Sequence, residues 1–195
     1  MKNIRDWLWF LTVINILIAS ERSSDKISSG FEFKIEDRSF KYVNPGFELK
    51  EIDKDGVNYI KPEMVGSGSK ALPGEPDLPS TSTFYAVNPG KTYSVNISIQ
   101  EYEIIENVDI LPFNSWENVP TTSVQKGSVY TQDTFLPESV IEISNPMVMR
   151  DVVMVQVSLT PFQYNPVSKS LKVIHSVDID LIESGTIELP FIPER

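Results

Sequence analysis

Two stretches decide the fold: Val153-Met154-Val155-Gln156-Val157-Ser158-Leu159, and after a short interval Leu171-Lys172-Val173-Ile174-His175-Ser176-Val177-Asp178-Ile179-Asp180-Leu181. In the first, Val153, Val155, Val157 and Leu159 alternate with Met154, Gln156 and Ser158. In the second, Leu171, Val173, Val177, Ile179 and Leu181 fall on one face of an extended chain. A period of two puts successive side chains on opposite faces, which is the mark of strands with one face buried. Because these inward faces are the most continuously apolar of the chain, both strands are expected at the centre of the sheet structure.

Working outward, the same period recurs. Phe31, Phe33 and Ile35 alternate with Glu32, Lys34 and Glu36, and Tyr93, Val95, Ile97 and Ile99 alternate with Ser94, Asn96 and Ser98. Between the runs lie turns with a physical reason. Asp55-Gly56 separates Phe47–Ile52 from Val57–Ile60, and this dipeptide tolerates the positive φ of a tight hairpin. Asn88-Pro89-Gly90 separates Phe84–Val87 from Tyr93–Ile99, with proline fixing φ and glycine supplying the left-handed position. Asn165-Pro166 divides the run ending near Phe162 from the one beginning at Leu171. Outside the N-terminus no stretch of about ten residues carries a helical period. Strands joined by turns, with no helices to cross over, predict an all-β, antiparallel sandwich or jelly-roll-like domain.

Two segments lack the period. Gly66–Pro79 is rich in glycine, serine and proline and is expected to be a loop lying over the surface. Pro112–Gly127 contains Trp116 and Pro120 and has no periodicity, so it is expected to be the irregular loop where function concentrates.

The N-terminus is of another kind. Lys2 and Arg5 precede an apolar run from Trp7 to Ala19, interrupted by Thr12 and Asn15. A basic start, a short apolar run and the small residues Ala19 and Ser20 make a secretory signal pattern. The run is shorter than the ~20 apolar residues a membrane span needs. The expected organisation is therefore a signal peptide at 1–20, a domain at 31–185 and a tail or linker at 186–195, with export to the periplasm or beyond and no stable membrane span.

Composition limits the chemistry. The 195 residues include 17 basic and 27 acidic side chains, a net charge of −10, which repels phosphate backbones and argues against nucleic-acid binding. There is no cysteine and one histidine, His175, so neither thiol catalysis nor the usual zinc constellation can be assembled. His175 shares the parity of Val173 and Val177, which reads as a core or interface histidine. No G-x-S-x-G motif is present, and Gly66-Ser67-Gly68-Ser69 reads as a flexible turn. Asp53-Lys54-Asp55-Gly56 resembles part of an acidic calcium loop, but the further oxygen ligands are missing and a hairpin turn accounts for it. Glu101, Glu103 and Glu106 read as solvated strand positions. No catalytic residues, cofactor or metal are expected. Trp116 could stack on a sugar or fill a partner's pocket, or could simply anchor its loop.

Several phrases, taken in order, resemble the N-terminal propeptide of the gingipain-like cysteine peptidases of family C25. Gly74-Glu75-Pro76-Asp77-Leu78-Pro79 is followed by Phe84-Tyr85-Ala86-Val87-Asn88-Pro89-Gly90, similar to the propeptide's G-x-P-x-L-P … v-x-P-G opening with Asn88 inserted. Ile110-Leu111-Pro112 follows, then Tyr130 with Phe135-Leu136-Pro137. Pro161-Phe162-Gln163-Tyr164-Asn165-Pro166 with Leu171-Lys172-Val173 resembles the P-x-x-Y-N-P … L-x-v close. The resemblance extends from about Val57 to Ile182. It implies a non-catalytic β-sandwich that assists folding of a peptidase and blocks its cleft. The peptidase domain itself is not among these residues, so the partner would be supplied in cis by a longer precursor or in trans. Gly74, Pro76, Pro79, Pro89, Gly90, Tyr164, Asn165 and Pro166 would then be structural motif positions.

In such precursors an irregular loop carries a basic side chain toward the specificity pocket. The matching loop here is Pro112–Gly127, where the single Lys or Arg is Lys126. The resemblance therefore implies Lys126 as pseudosubstrate, with Gly127 and Trp116 beside it. An ordinary solvated lysine next to a turn glycine is the plain alternative. A secreted carbohydrate-binding or adhesion β-sandwich is the alternative function, and it would need an exposed aromatic platform.

Overall fold

A computed structural model describes residues 30–33, 38–114 and 124–188. The expected signal segment, Ile35, Trp116 and most of the tail lie outside the described residues. Among those described, the strands are β1 (Phe31–Phe33), β2 (Ser39–Val43), β3 (Phe47–Lys54), β4 (Val57–Met64), β5 (Gly68–Ser69) and β6 (Pro79–Ala86). They continue with β7 (Lys91–Ile105), β8 (Ile141–Ile143), β9 (Met147–Met149), β10 (Val152–Leu159), β11 (Phe162–Asn165) and β12 (Ser170–Thr186). A single 3₁₀ turn occupies Ser128–Thr131.

The strands pair antiparallel in two packed sheets and a hairpin. The first sheet runs β1-β2-β12-β11, with β7 along the other edge of β12. The second runs β5-β6-β10-β8, with β9 also on β10. β3 and β4 pair only with each other along their length, through a turn in which Asp55 and Gly56 take φ of 55° and 75°. This is the left-handed pair a tight hairpin requires. Gly90, in the predicted Asn88-Pro89-Gly90 turn, has φ of 73°.

The two decisive stretches are β10 and β12, and both lie inside their sheets, each with strands on either edge. Val155, Val157 and Leu159 of β10 are fully buried against Ile174, Val177 and Ile179 of β12, with Phe31, Phe40 and Tyr42 alongside. Phe40 of the first sheet stacks on Tyr85 of the second at 5.8 Å, so aromatic contact ties the layers directly. Each such fully buried side chain contributes about 1.5–3 kcal/mol relative to exposure.

A second cluster lies beneath the β3–β4 hairpin. Leu171 and Val173 join Phe162, Tyr164, Val108, Ile110, Met64 and Leu78 there. Neighbouring residues Val173 and Ile174 thus serve different clusters, as opposite faces of a strand must. The pairing of β12 with β7 then shifts register on either side of Ser176. That bulge brings Val177 onto the face of Ile174. His175 keeps the face of Val173, its ring 6.4 Å from that of Phe47, but it is not buried in the core: its side chain is 32% exposed and its Nε2 lies 3.1 Å from Glu103. Of its two apolar parity neighbours it is Val177, beyond the bulge, that changes face.

The expectation of a surface loop at Gly66–Pro79 holds for residues 66–73, which are exposed or half-buried, and is corrected from Gly74 onward. Gly74 and all residues from Pro76 to Ser80 are buried, and Gly68–Ser69 form β5 on the end of β6. The polar composition reflects backbone constraints there, not solvation.

Candidate functional site: the stem of the Pro112–Gly127 loop

The irregular segment enters from an extended stretch, Val108–Phe113, that is stitched on both sides. Val108 N donates to Lys169 O (3.0 Å), Ile60 N to Asp109 O (2.8 Å) and Leu111 N to Ile60 O (2.9 Å). On the other side Asp77 N donates to Leu111 O (2.9 Å), and Phe113 N to Glu75 O (2.7 Å). Gly74-Glu75-Pro76-Asp77 therefore acts as a strap along this stretch, which explains its burial: its backbone polar groups find partners inside the fold.

Gly74 closes the strap. Its N–H donates to Phe113 O at 2.7 Å and its carbonyl accepts from Gly127 N at 2.8 Å, so one residue holds both stems of the loop. Its φ is 88°, and a Cβ there would stand 2.9 Å from Gly127 N. Gly127 is constrained in the same way, since a Cβ on it would meet Gly74 O at 2.9 Å. Two glycines are needed because two backbones approach here with no room for side chains. Pro76 forms a bridge with Pro112, and Pro79 opens β6.

Below the stem stand two tyrosines. Tyr130, in the 3₁₀ turn, donates its hydroxyl to Ile110 O at 2.8 Å, and Tyr164 of β11 donates to Val108 O at 3.1 Å. Their rings meet edge-on at 6.2 Å. Burial pushes the Tyr164 phenol up to about 12, with the Asp109 charge adding to it. Burial raises Tyr130 further, with the charges of Asp109 and Asp77 among the smaller causes. Asn165 holds the turn that follows: its Oδ1 accepts from Val167 N (3.0 Å) and Ser168 N (3.1 Å), while Nδ2 donates to Asp133 (2.9 Å). Pro166 is buried behind it.

Lys126 sits on the returning stem, beside Gly127. Its ammonium lies 2.8 Å from Asp109 Oδ1 and between the rings of Tyr59 and Tyr130, 5.2 and 5.1 Å from their centroids. The other Asp109 oxygen, Oδ2, is 3.3 Å from Lys169. The Lys126 side chain is 36% exposed, whereas Asp109 is 14% exposed. The structure thus brings Lys126 and Gly127 together with Gly74, Pro76 and Tyr164. Pro89 and Gly90 lie at a separate turn, where Ile187 N donates to Gly90 O at 3.1 Å.

Sequence reasoning missed Asp109, Tyr59 and Lys169 as neighbours of Lys126. Asp109 lies between the buried Val108 and Ile110 and so points to the opposite side from them, where Lys126 and Lys169 cover it. Its cationic partners come from distant parts of the chain and leave no local signal. The aromatic platform required by a sugar-binding module is not brought together among the described residues. The exposed aromatics Phe84 and Tyr102 stand on different sheets, and Tyr102 is engaged by Lys172 at 4.5 Å.

The described residues thus define an antiparallel β-sandwich in which Gly74 ties Phe113 to Gly127. The Propeptide_C25 family model matches residues 30–186, and the chain belongs to that family. The domain found is a propeptide, and no catalytic domain was found in the 195 residues. Gingipain R2 of Porphyromonas gingivalis is 25% identical over 177 residues, covering 87% of this chain but only 22% of its own length. Among solved structures, the complex of the Porphyromonas gingivalis RgpB pro- and mature domains matches with a TM-score of 0.66 and 22% identity, over 82% of this chain and 89% of that one. A structure concerned with the zymogenic latency of gingipain K from the same organism matches at a TM-score of 0.63 and 17% identity, over 82% and 96%.

Proposed function

We propose that this domain is exported under the signal segment 1–20, assists the folding of a gingipain-type cysteine peptidase and holds it inactive. The peptidase is joined to it in a longer precursor or met in trans. Lys126 serves as the pseudosubstrate side chain, offered with Gly127 from the loop stem to a carboxylate in the peptidase's specificity pocket. The observation that carries this reading is the strap: Gly74 bonds to Phe113 and Gly127 and fixes both stems at one point. A fixed stem lowers the ordering cost of docking a loop into a cleft. Charge supports it as well, because Lys126 is the one cation between Pro112 and Gly127 in a chain of net charge −10.

The test is inhibition of a mature gingipain-type peptidase by the purified chain and by Lys126→Ala. The variant is expected to inhibit at least tenfold more weakly, about 1.4 kcal/mol or more. Equal inhibition by the two proteins would remove Lys126 from the role.

A further inference from the structure

We infer that Asp109 sets the strength of this contact by competing with the peptidase for the Lys126 ammonium; the inference rests on the pseudosubstrate reading. In the free domain the ammonium is already seated, 2.8 Å from Asp109 Oδ1 and over two tyrosine rings at 5.2 and 5.1 Å. A lysine that enters another protein's pocket must leave that seat, and what it gives up is subtracted from the binding free energy. Asp109 is the part of the seat that carries charge.

The same residue makes departure feasible. A carboxylate 14% exposed is costly to strand without a cation, but Asp109 Oδ2 keeps Lys169 at 3.3 Å when Lys126 leaves. Two lysines on separate oxygens of one carboxylate form an exchange site: one cation stays while the other is lent. Lys169 is suited to stay, because it stands at the β11–β12 turn, where its own carbonyl accepts from Val108 N at 3.0 Å. Lys126 is suited to leave, because it lies on the loop stem. The arrangement keeps the loop's cation folded against the domain until a stronger carboxylate site meets it.

Asp109→Asn removes the charge, preserves the shape and leaves the backbone bond from Ile60 N to Asp109 O in place. The experiment is a double-mutant cycle on the purified chain with Asp109→Asn, Lys126→Ala and the pair. Inhibition is read against the mature domains of gingipain R2 and of gingipain K, and urea unfolding is read on the free chain. Asp109→Asn is expected to inhibit about two- to fivefold more tightly than wild type, the range of a partly exposed ion pair. In the Lys126→Ala background the same substitution is expected to change nothing. Weaker or unchanged inhibition by Asp109→Asn, or equal tightening in both backgrounds, overturns the inference while leaving the pseudosubstrate reading standing. Undiminished inhibition by Lys126→Ala overturns that reading, and the inference with it. Absence of coupling between Asp109 and Lys126 in unfolding also overturns the inference, independently of any peptidase.

Discussion

At the scale of single residues, Gly74 does more than any side chain to shape the candidate site. A left-handed φ of 88° costs a residue with a Cβ about 1–2 kcal/mol, and here the added carbon would also stand 2.9 Å from Gly127 N. That contact, and a second at 3.1 Å to Gly127 Cα, cannot be relieved by a rotamer change, because the opposing atoms are backbone. Gly74→Ala is therefore expected to lower stability by more than about 2 kcal/mol in denaturant unfolding and to loosen the loop stem. A variant as stable as wild type would mean that the strap bends freely. The family phrase Gly74-Glu75-Pro76-Asp77-Leu78-Pro79 thus has a mechanical meaning that its composition concealed. Glycine is required for the approach to Gly127, while Pro76 faces Pro112 in a bridge whose bonds are made by their neighbours, Phe113 N to Glu75 O and Asp77 N to Leu111 O. Buried Asp77 pairs with Lys61 at 3.2 Å.

At the scale of elements, the β11–β12 turn shows the same economy. Asn165 satisfies two backbone N–H groups and ties Asp133, and it is nearly fully buried. Asn165→Ala is expected to cost about 1–3 kcal/mol, seen as a fall of several degrees in Tm, with Asn165→Asp recovering the two turn bonds but not the third. An alanine variant that melts with wild type would show that the turn is held without Asn165, as by the bond from Val108 N to Lys169 O. The strands themselves were legible from sequence because alternation is a local property, and residues 93–99 of β7, all of β10 and residues 170–173 and 177–182 of β12 follow it. The middle of β12 was not, because a bulge is fixed by the partner strand. The switch of Val177 to the face of Ile174 therefore could not be read from alternation. The strap failed for a related reason: glycine and proline signal a loop locally, while burial is decided by what packs above. Lys126 was legible as the loop's cation, but the ring of Asp109, Tyr59 and Lys169 around it arises from separations of many residues.

At the scale of the whole molecule, two hydrophobic clusters share β12. Tyr42 of the first donates its hydroxyl to the Met64 sulfur of the second at 3.3 Å. Burial raises the phenols of Tyr42, Tyr130 and Tyr164 above their ordinary value of 10.0. A group whose folded pKa is raised contributes stability that is complete below its unfolded pKa and is lost as pH climbs toward the folded one. Stability should therefore hold up to about pH 10 and fall steeply above it. Tyr130→Phe should flatten that fall in alkaline melts. An identical alkaline profile in the variant would show that Tyr130 does not keep its proton through the fold.

The claim on which the rest depends is that this domain occupies the cleft of a gingipain-type peptidase. The most direct measurement is the residual activity of the mature peptidase as the purified chain is added. The account predicts loss of activity that reaches completion near one domain per peptidase. Full activity in a large excess of the chain would contradict it.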